Sequence, residues 1–290
     1  MATGKAASNF LRGVVVRAGS RSPLLSVRGL HSSVAKLDDK EKSERWLKRL
    51  WPASGAAVHD GPLSAAHSSV MSDTSVVYEL LTHDTMGGRL TEYLDLYEQY
   101  AQLVSSKLSG VELLGSWRVV YGENVDQAVH LWRYSNGYAT ADSVIEALVS
   151  DTDVAAAATK HGLLTTKRRV MLLKSFSYWG EPEPREGPSV YDLRSYVLKP
   201  GQMIEWGNSW AKGIQYRRDY EQDVGGFFSQ LGQLYMVFHL WAYESLEARR
   251  AAREQVWQKP GWDATVAYTV PLIKTMSSKI MVPNKYSLLK

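Results

Sequence analysis

An internal duplication constrains this chain more than any other feature of its sequence. Three segments of residues 77–172 recur in order at offsets of 109 to 113 residues: VYEL at 77–80 as VYDL at 190–193, HLW at 130–132 again at 239–241, and VML at 170–172 as IMV at 280–282. Because the three matches keep their order and nearly their spacing, the chain is built from two copies of one structural unit.

Hydrophobic periodicity within each copy alternates between that of strands and that of helices. In the first copy, strands are predicted at 75–81, 117–121, 128–134 and 167–178, and helices at 89–108 and 142–161, the second of them broken in its middle. In the second copy, strands are predicted near 189–197, 227–230, 234–243 and 278–283, with helices after Gly201 and Ser245. This βαββαβ order is that of the ferredoxin-like unit, an antiparallel sheet with helices on one face. The predicted class is therefore α+β.

A sheet that carries helices on one face must bury its other face. Side chains alternate along a strand, which places His130, Trp132, His239 and Trp241 on one face and Val129, Leu131, Phe238 and Leu240 on the other. We expect the aliphatic face to lie under the helices and the aromatic faces of the two copies to pack against each other. The expected result is a dimeric α/β barrel within one chain.

The repeat and its flanks divide the chain into five parts. A Pro-rich charged spacer at residues 180–188 separates a first copy at 73–179 from a second at 189–290. Before them come a predicted transit peptide at 1–33 and a segment at 34–72 that combines a short amphipathic stretch with a flexible Ala/Ser/Gly-rich one.

The N-terminal segment has the composition of a mitochondrial transit peptide. Residues 1–37 contain six basic side chains and no acidic one, with serines scattered among apolar residues. Arg17 ends the only apolar run, which disfavours a secretory signal, and RGLHSS at 28–33 is typical of a matrix-processing site. The prediction is a mitochondrial protein, mainly of the matrix; a merely disordered basic tail is the alternative.

Composition excludes several classes of function. The chain has no cysteine, so it forms no disulfide and has no thiolate nucleophile. Residues 38–290 carry 28 basic and 30 acidic side chains, a balance that argues against nucleic acid binding. The longest apolar stretch, 234–241, is far shorter than the ~18 residues that a membrane-spanning helix needs.

No known catalytic, nucleotide-binding or metal-binding motif occurs in the sequence. If the barrel holds a ligand between its sheets, the candidate binding residues are His130, Trp132, His239 and Trp241. A hydrogen-bonded core histidine is the favoured interpretation, because no carboxylate or second ligand accompanies either histidine at fixed spacing. We therefore expect no catalytic residue, no cofactor, no metal and no enzymatic activity.

Two segments are candidates for binding a partner. Trp46, Leu47, Leu50 and Trp51 form the apolar stripe of a short amphipathic helix that Pro52 ends. This stripe suits a partner protein, an anionic membrane surface or the chain's own barrel, and the sequence leaves these open.

The second candidate is the C-terminal sequence YSLL, whose Tyr286 and Leu289 have the aromatic-x-x-aliphatic spacing read by autophagosomal ubiquitin-like proteins. Such motifs bind as an added strand and must be exposed. Of the sequences with this spacing, the one at the end of the chain is the candidate expected to be free, although Tyr286 matches Phe176 of a predicted strand in the first copy.

These features together resemble the NIPSNAP family over residues 30–290: the duplicated unit, the segment WLKRLW at 46–51, the strands HLWRY and HLWAY, the KPG turn at 199–201 and the basic N-terminus. The resemblance implies a mitophagy signal that stays at the surface of depolarised mitochondria. There it would recruit autophagy receptors and autophagosomal ubiquitin-like proteins. Oligomers with family members are compatible with it.

The alternative is a small-molecule or haem-binding barrel protein or an oxygenase, because dimeric α/β barrels elsewhere hold ligands between their sheets. An open pocket that a histidine reaches would favour this alternative, and a filled interior would favour the interaction protein.

Overall fold

The computed structural model of the protein describes residues 71–187, 189–218 and 222–290. The predicted transit peptide at 1–33 and the predicted amphipathic stripe Trp46, Leu47, Leu50 and Trp51 lie outside the described residues.

Each copy has the predicted order βαββαβ, with its second helical zone divided in two. The first copy contains β1 (Val77–Thr85), α1 (Leu90–Lys107), β2 (Val111–Tyr121), β3 (Gln127–Tyr134), α2 (Tyr138–Ser150), α3 (Thr152–Gly162) and β4 (Thr165–Ser175). The second contains β5 (Val190–Leu198), α4 (Met203–Gly213), β6 (Asp223–Leu231), β7 (Met236–Tyr243), α5 (Leu246–Val256), α6 (Trp262–Thr269) and β8 (Ile273–Pro283), with short 3-10 turns at Ile214–Tyr216 and Val270–Leu272.

The break predicted in the helical zone of the first copy falls at Asp151. This residue ends α2 in an extended conformation, and its carboxylate accepts hydrogen bonds from the backbone N–H groups of Asp153 and Val154. An aspartate at this position caps the new helix by satisfying donors that have no intrahelical partner. The side chain of Asp151 thus stops one helix and starts the next.

The eight strands form one closed antiparallel barrel in the order β1-β3-β2-β8-β5-β7-β6-β4. Two short seams join the copies: Trp117–Tyr121 of β2 pairs with Ile280–Pro283 of β8, and Leu172–Ser175 of β4 pairs with Phe227–Leu231 of β6. The prediction of tandem ferredoxin-like units that form a dimeric α/β barrel within one chain is confirmed.

The two faces of the sheet are reversed relative to the expectation. Val129, Leu131, Phe238 and Leu240 point into the barrel, where side chains of both copies form one apolar core. Trp132 packs under the helices of the first copy and Trp241 under those of the second. On the helix side the Trp132 indole donates to the Tyr97 hydroxyl of α1 at 2.9 Å, whereas the Trp241 indole N–H packs there without a hydrogen-bond partner among the described residues. The prediction that the aromatic faces meet inside the barrel is wrong.

Both copies place a glycine next to a bulge so that an aromatic ring can enter the core. The register of β2 shifts between Leu113 and Gly115, and that of β6 shifts between Asp223 and Gly225. A Cβ on Gly115 would overlap the indole ring of Trp117. A glycine is therefore required two residues before each of these buried rings.

None of the helices in the described ranges is long and apolar enough to cross a membrane.

Candidate functional site

His130 lies fully buried between β3 and helix α1. Its ring stacks on that of Tyr97, with centroids 3.6 Å apart and planes inclined by 11°. Its Nε2 lies 3.0 Å from the Tyr93 hydroxyl and its Nδ1 lies 2.9 Å from Oγ of Ser116. Both ring nitrogens are thus engaged, which makes His130 a hydrogen-bonded residue of the core.

The contacts of His130 belong to a longer chain of hydrogen bonds whose proton positions follow from counting donors. Ser116 Oγ donates to the Tyr286 hydroxyl at 3.1 Å, and Tyr286 donates to the Leu94 carbonyl at 3.3 Å. Since each hydroxyl has a single proton, Nδ1 of His130 must donate to Ser116 and Nε2 must accept from Tyr93. The Tyr93 oxygen then accepts from Nδ1 of His83, 2.5 Å away. All members are satisfied with both histidines neutral.

His161 joins this cluster from the end of helix α3. Its ring is parallel to that of His83 within 15°, with centroids 6.1 Å apart, and lies 4.9 Å from the ring of Tyr100. Both of its ring nitrogens are buried, and neither has a hydrogen-bond partner among the described residues. His83 and His161 were missed by the sequence analysis because they meet His130 only across the helix–sheet layer, and no fixed spacing connects them.

The histidines of this cluster are neutral at ordinary pH because burial disfavours their charged forms. Burial, and then the neighbouring His161, lowers the pKa of His83 to about 3, whereas burial and then Arg168 lower the pKa of His161 to about 4. Burial also places the pKa of His130 well below its usual range and that of Tyr93 well above it. A general acid or base works best with a pKa near the working pH, so this cluster is poorly tuned for proton transfer.

The matching layer of the second copy is built from tryptophans around His239. The His239 ring lies 4.6 Å from the ring of Trp179 and 4.5 Å from that of Trp210, and Tyr196, Trp206 and Trp241 complete the shell. Both nitrogens of His239 are buried without a hydrogen-bond partner in the described part of the chain. Burial, and then the positive charges of Arg194 and Arg217, place its pKa well below the usual range. His239 is thus a neutral imidazole in an aromatic shell.

Neither candidate histidine suits a haem. The nitrogens of His130 are occupied by Tyr93 and Ser116, and the two rings that flank His239 within 5 Å leave no space for a porphyrin. Within the described ranges, no three histidine, aspartate or glutamate side chains are grouped in a way that could hold a metal ion.

The barrel interior, where a ligand between the sheets would lie, is filled by side chains. A cavity of about 10 Å³ lies there among the described residues, and its lining is entirely apolar: Leu80, Trp117, Val129, Leu131, Leu193, Phe227, Phe238, Leu240 and Met281. Even one water molecule needs roughly 10–15 Å³ and polar partners. Neither His130 nor His239 lines this cavity, since both lie on the outer face of the sheet.

The C-terminal candidate segment is part of the fold and is not free. Leu289 is fully buried in the barrel core, and its backbone N–H donates to the Leu114 carbonyl at 3.0 Å. Tyr286 packs against the helix layer of the first copy and belongs to the hydrogen-bond chain of His130. The expectation that Tyr286 and Leu289 are exposed is wrong, because apolar burial and backbone hydrogen bonds both hold the segment in place.

Comparison with known proteins identifies the family. The NIPSNAP family model matches residues 78–178 and again residues 191–288. The chain belongs to the NIPSNAP family.

Curated NIPSNAP relatives match nearly the whole chain. "Protein NipSnap homolog 2" of Homo sapiens is 41% identical over 95% of this chain and 94% of its own length, and the protein of that name from Danio rerio is 42% identical over 89% of both. A "Putative NipSnap protein" of Caenorhabditis elegans is 45% identical over 94% of this chain, which spans about half (52%) of that relative. The two family matches coincide with the two copies that the repeat predicted.

The barrel of this NIPSNAP chain is shared with more distant solved structures. An anthrone oxidase-like protein superposes with a TM-score of 0.52 over 74% of this chain and 93% of its own, at 14% identity. At that identity the likeness shows the fold alone.

Replacement of the two candidate histidines by phenylalanine should have effects of opposite sign on this NIPSNAP chain. His130→Phe removes two hydrogen bonds and leaves the Tyr93 O–H without an acceptor, although the Tyr93 oxygen still accepts from His83. This should lower the free energy of unfolding by about 2 kcal/mol. His239→Phe replaces an unpaired buried imidazole by an apolar ring and should raise it by about 1 kcal/mol. Urea denaturation of both variants measures the difference, and equal losses would contradict the assigned contacts.

Leu289→Ala should lower the free energy of unfolding by about 2 kcal/mol, although the residue is next to last in the chain. The substitution opens a cavity in the barrel core, and a position near the terminus relaxes enough to keep the cost at the low end for buried leucine. Leu288→Ala is the matched control, because Leu288 is 38% exposed and should change stability little. Thermal unfolding of the two variants distinguishes a structural from a dispensable terminus.

Proposed function

We propose that this chain is a mitochondrial interaction protein that acts as a mitophagy signal. In healthy mitochondria it resides mainly in the matrix. On depolarisation it stays at the outer surface and recruits autophagy receptors and autophagosomal ubiquitin-like proteins. Its role depends on where the folded protein is displayed and not on catalysis.

The filled barrel is the observation that carries this proposal. The interior retains about 10 Å³ of apolar space, whereas ligand pockets measure about 300–1,000 Å³. A barrel that is packed like an ordinary core favours a protein whose surface does its work. Membership of the NIPSNAP family and the acid-free, basic composition of residues 1–37 support the mitochondrial part of the proposal.

A calorimetric titration of the full chain with purified autophagosomal ubiquitin-like proteins tests the proposal. We expect saturable binding that is lost when Trp46 and Trp51 are both replaced by alanine. Trp257→Ala is the matched control, since Trp257 is an exposed tryptophan on the described barrel, and this variant should bind normally. A full chain that binds neither these proteins nor autophagy receptors would overturn the proposal.

The location is tested separately in intact and depolarised mitochondria. Added protease should spare the protein when import is active and should digest it after depolarisation. Equal protection of the protein from protease in both states would contradict the proposed relocation.

A ligand-binding barrel is the second candidate, and the observation that favours it is the shared fold with an anthrone oxidase-like protein. Titration of the protein with haem and with planar aromatic compounds tests this candidate. A saturable absorbance or tryptophan-fluorescence change would favour it over the interaction protein.

A further inference from the structure

Strand β4 continues beyond the seam that closes the barrel. Its residues Leu172–Ser175 pair with β6, and of these Leu172 and Leu173 also pair with β1. The preceding stretch, Thr165–Met171, pairs with β1 alone, because the hairpin between β6 and β7 ends at Gly232 beside Val170 and Met171. We call this stretch the β4 edge.

The register of the sheet shows which backbone groups of the β4 edge point outward. The N–H of Phe176 donates to Gly226 across the seam, so even-numbered residues of β4 present their backbone groups on the β6 side. The N–H of Thr85 in β1 donates to Asp126 on the β3 side, so the even-numbered residues of β1 direct their backbone groups toward β4. They pair with odd-numbered residues of β4, which leaves the even-numbered residues of β4 facing the other side. Arg168 therefore directs its N–H and C=O, and Val170 its N–H, away from the barrel with no strand beside them in the described part of the chain. The Val170 carbonyl lies against Gly232 of the hairpin.

The second copy has a related edge at residues 273–279 of β8, which pair with β5 alone. Its outward residues are Lys274, Met276 and Ser278, by the same reasoning from the bond between Asn284 and Ser116. We call this stretch the β8 edge. It provides an internal reference because it offers the same backbone geometry on the same protein.

The two edges differ in the number of exposed cations that they carry. The β4 edge contains Lys167 and Arg168, both exposed, and within the described ranges neither has an acidic side chain within ion-pair distance; the adjoining hairpin residues 230–234 carry no charge. On the β8 edge, Lys274 is exposed and likewise has no acidic side chain within ion-pair distance in the described ranges, whereas Lys279 is partly buried and donates to Gln127 at 2.6 Å. Burial, and then Arg169, lower the pKa of Lys279. The β4 edge thus combines unpaired strand groups with uncompensated positive charge.

We propose that the β4 edge binds an extended acidic peptide segment, which adds to the sheet as a further strand. Backbone hydrogen bonds to Arg168 and Val170 would align the peptide, and its carboxylates would pair with Lys167 and Arg168. The exposed Val170 offers an apolar contact for an alternate side chain of the same peptide. This inference rests on the proposed function only in that both make the chain a docking protein.

A second copy of the chain is disfavoured as the occupant. Two β4 edges would bring four cations together, and lysine on an edge strand is a common device against such pairing. The same cations attract an acidic strand. The charge of the edge therefore selects the partner.

Side chains alternate between the two faces of a strand, so a peptide with two adjacent glutamates can reach both Lys167 and Arg168. Fluorescence anisotropy with a short labelled peptide that contains Val-Thr-Glu-Glu, whose valine falls on the face of Val170, tests the proposal on the full chain. Val170→Pro removes an outward N–H without loss of a bond to β1, and should weaken binding about tenfold, the equivalent of one hydrogen bond. Met276→Pro, the same change on the β8 edge, should leave affinity unchanged. Arg168→Glu should also weaken binding about tenfold and covers the case in which the proline variant folds poorly.

Amide exchange locates the bound peptide independently. Exchange at Arg168 and Val170 should slow when the glutamate peptide is added and should not change with a lysine–valine peptide. Equal loss of affinity in both proline variants, binding of the lysine peptide, or dimerisation of the chain through this edge would each overturn the proposal. Failure of the peptide to bind leaves recruitment through Trp46 and Trp51 intact, so the two proposals fail separately.

Discussion

Acidification from about pH 7 to about pH 5 should lower the free energy of unfolding by about 4 kcal/mol through His83 and His161 alone. Their folded-state pKa values, about 3 and about 4, lie below the value of 6.5 for an unperturbed histidine. The unfolded chain therefore binds protons that the folded chain cannot bind. The stability from these groups is complete above pH 6.5 and is lost as the pH falls toward their folded-state values. Urea denaturation at several pH values measures the slope.

His161→Phe is the variant that isolates this effect. Because neither nitrogen of His161 has a hydrogen-bond partner in the described structure, the substitution removes a titrating group without breaking a polar contact. About half of the predicted pH dependence, roughly 2 kcal/mol, should disappear. An unchanged slope would show that carboxylates or other groups control acid unfolding.

Gly115→Ala should destabilise the protein by about 4 kcal/mol, more than the roughly 1–3 kcal/mol typical of overpacking a core. The new methyl group would occupy the position of the Trp117 indole, which is 1% exposed and has no route to move outward. The related Gly225→Ala should cost less, because its Cβ would lie 2.6 Å from the tip of the Phe227 ring.

Gly87→Ala is the matched control for both glycine substitutions. Its added Cβ would meet no atom closer than 3.9 Å, and its backbone conformation suits any residue. Thermal unfolding should place Gly87→Ala near the parent protein and Gly115→Ala far below it. A Gly115→Ala variant of normal stability would mean that Trp117 can repack.

The internal duplication and the hydrophobic periodicity of the helices and strands made most of the architecture predictable. The recurrence of HLW at 130–132 and 239–241 identified two equivalent strands. Apolar residues spaced three and four apart over 89–108 predicted α1 to within one residue at each end. Helix and strand periods depend on local backbone geometry, which a sequence records directly. Their order then left the ferredoxin-like unit as the natural solution.

Two features could not be predicted in the same way: which face of the sheet meets the helices, and which residues form the histidine cluster. A period of two shows that His130 and Trp132 share a face, but both faces of this sheet are buried, so hydropathy does not say which one meets the helices. The residues that contact the histidine cluster come from α1, from α3 and from the C-terminus, and a short sequence pattern does not show them. Leu289 was misassigned for the same reason, since a terminal position predicts mobility only when nothing buries it.

The position of the last residues has a consequence for how the chain acquires its structure. The apolar interior of the first copy is covered by β5 to β8 and finally by Leu289, and β2 finds its seam partner in β8 more than 150 residues later. A ribosome or a translocation pore releases a chain from its N-terminus, so the first copy emerges long before the residues that cover it. Such long-range pairing is slow and leaves apolar surface exposed in the meantime. A chain halted part-way through synthesis or transport would therefore present an open half-barrel, a substrate for chaperones and proteases, and only complete delivery yields the closed protein.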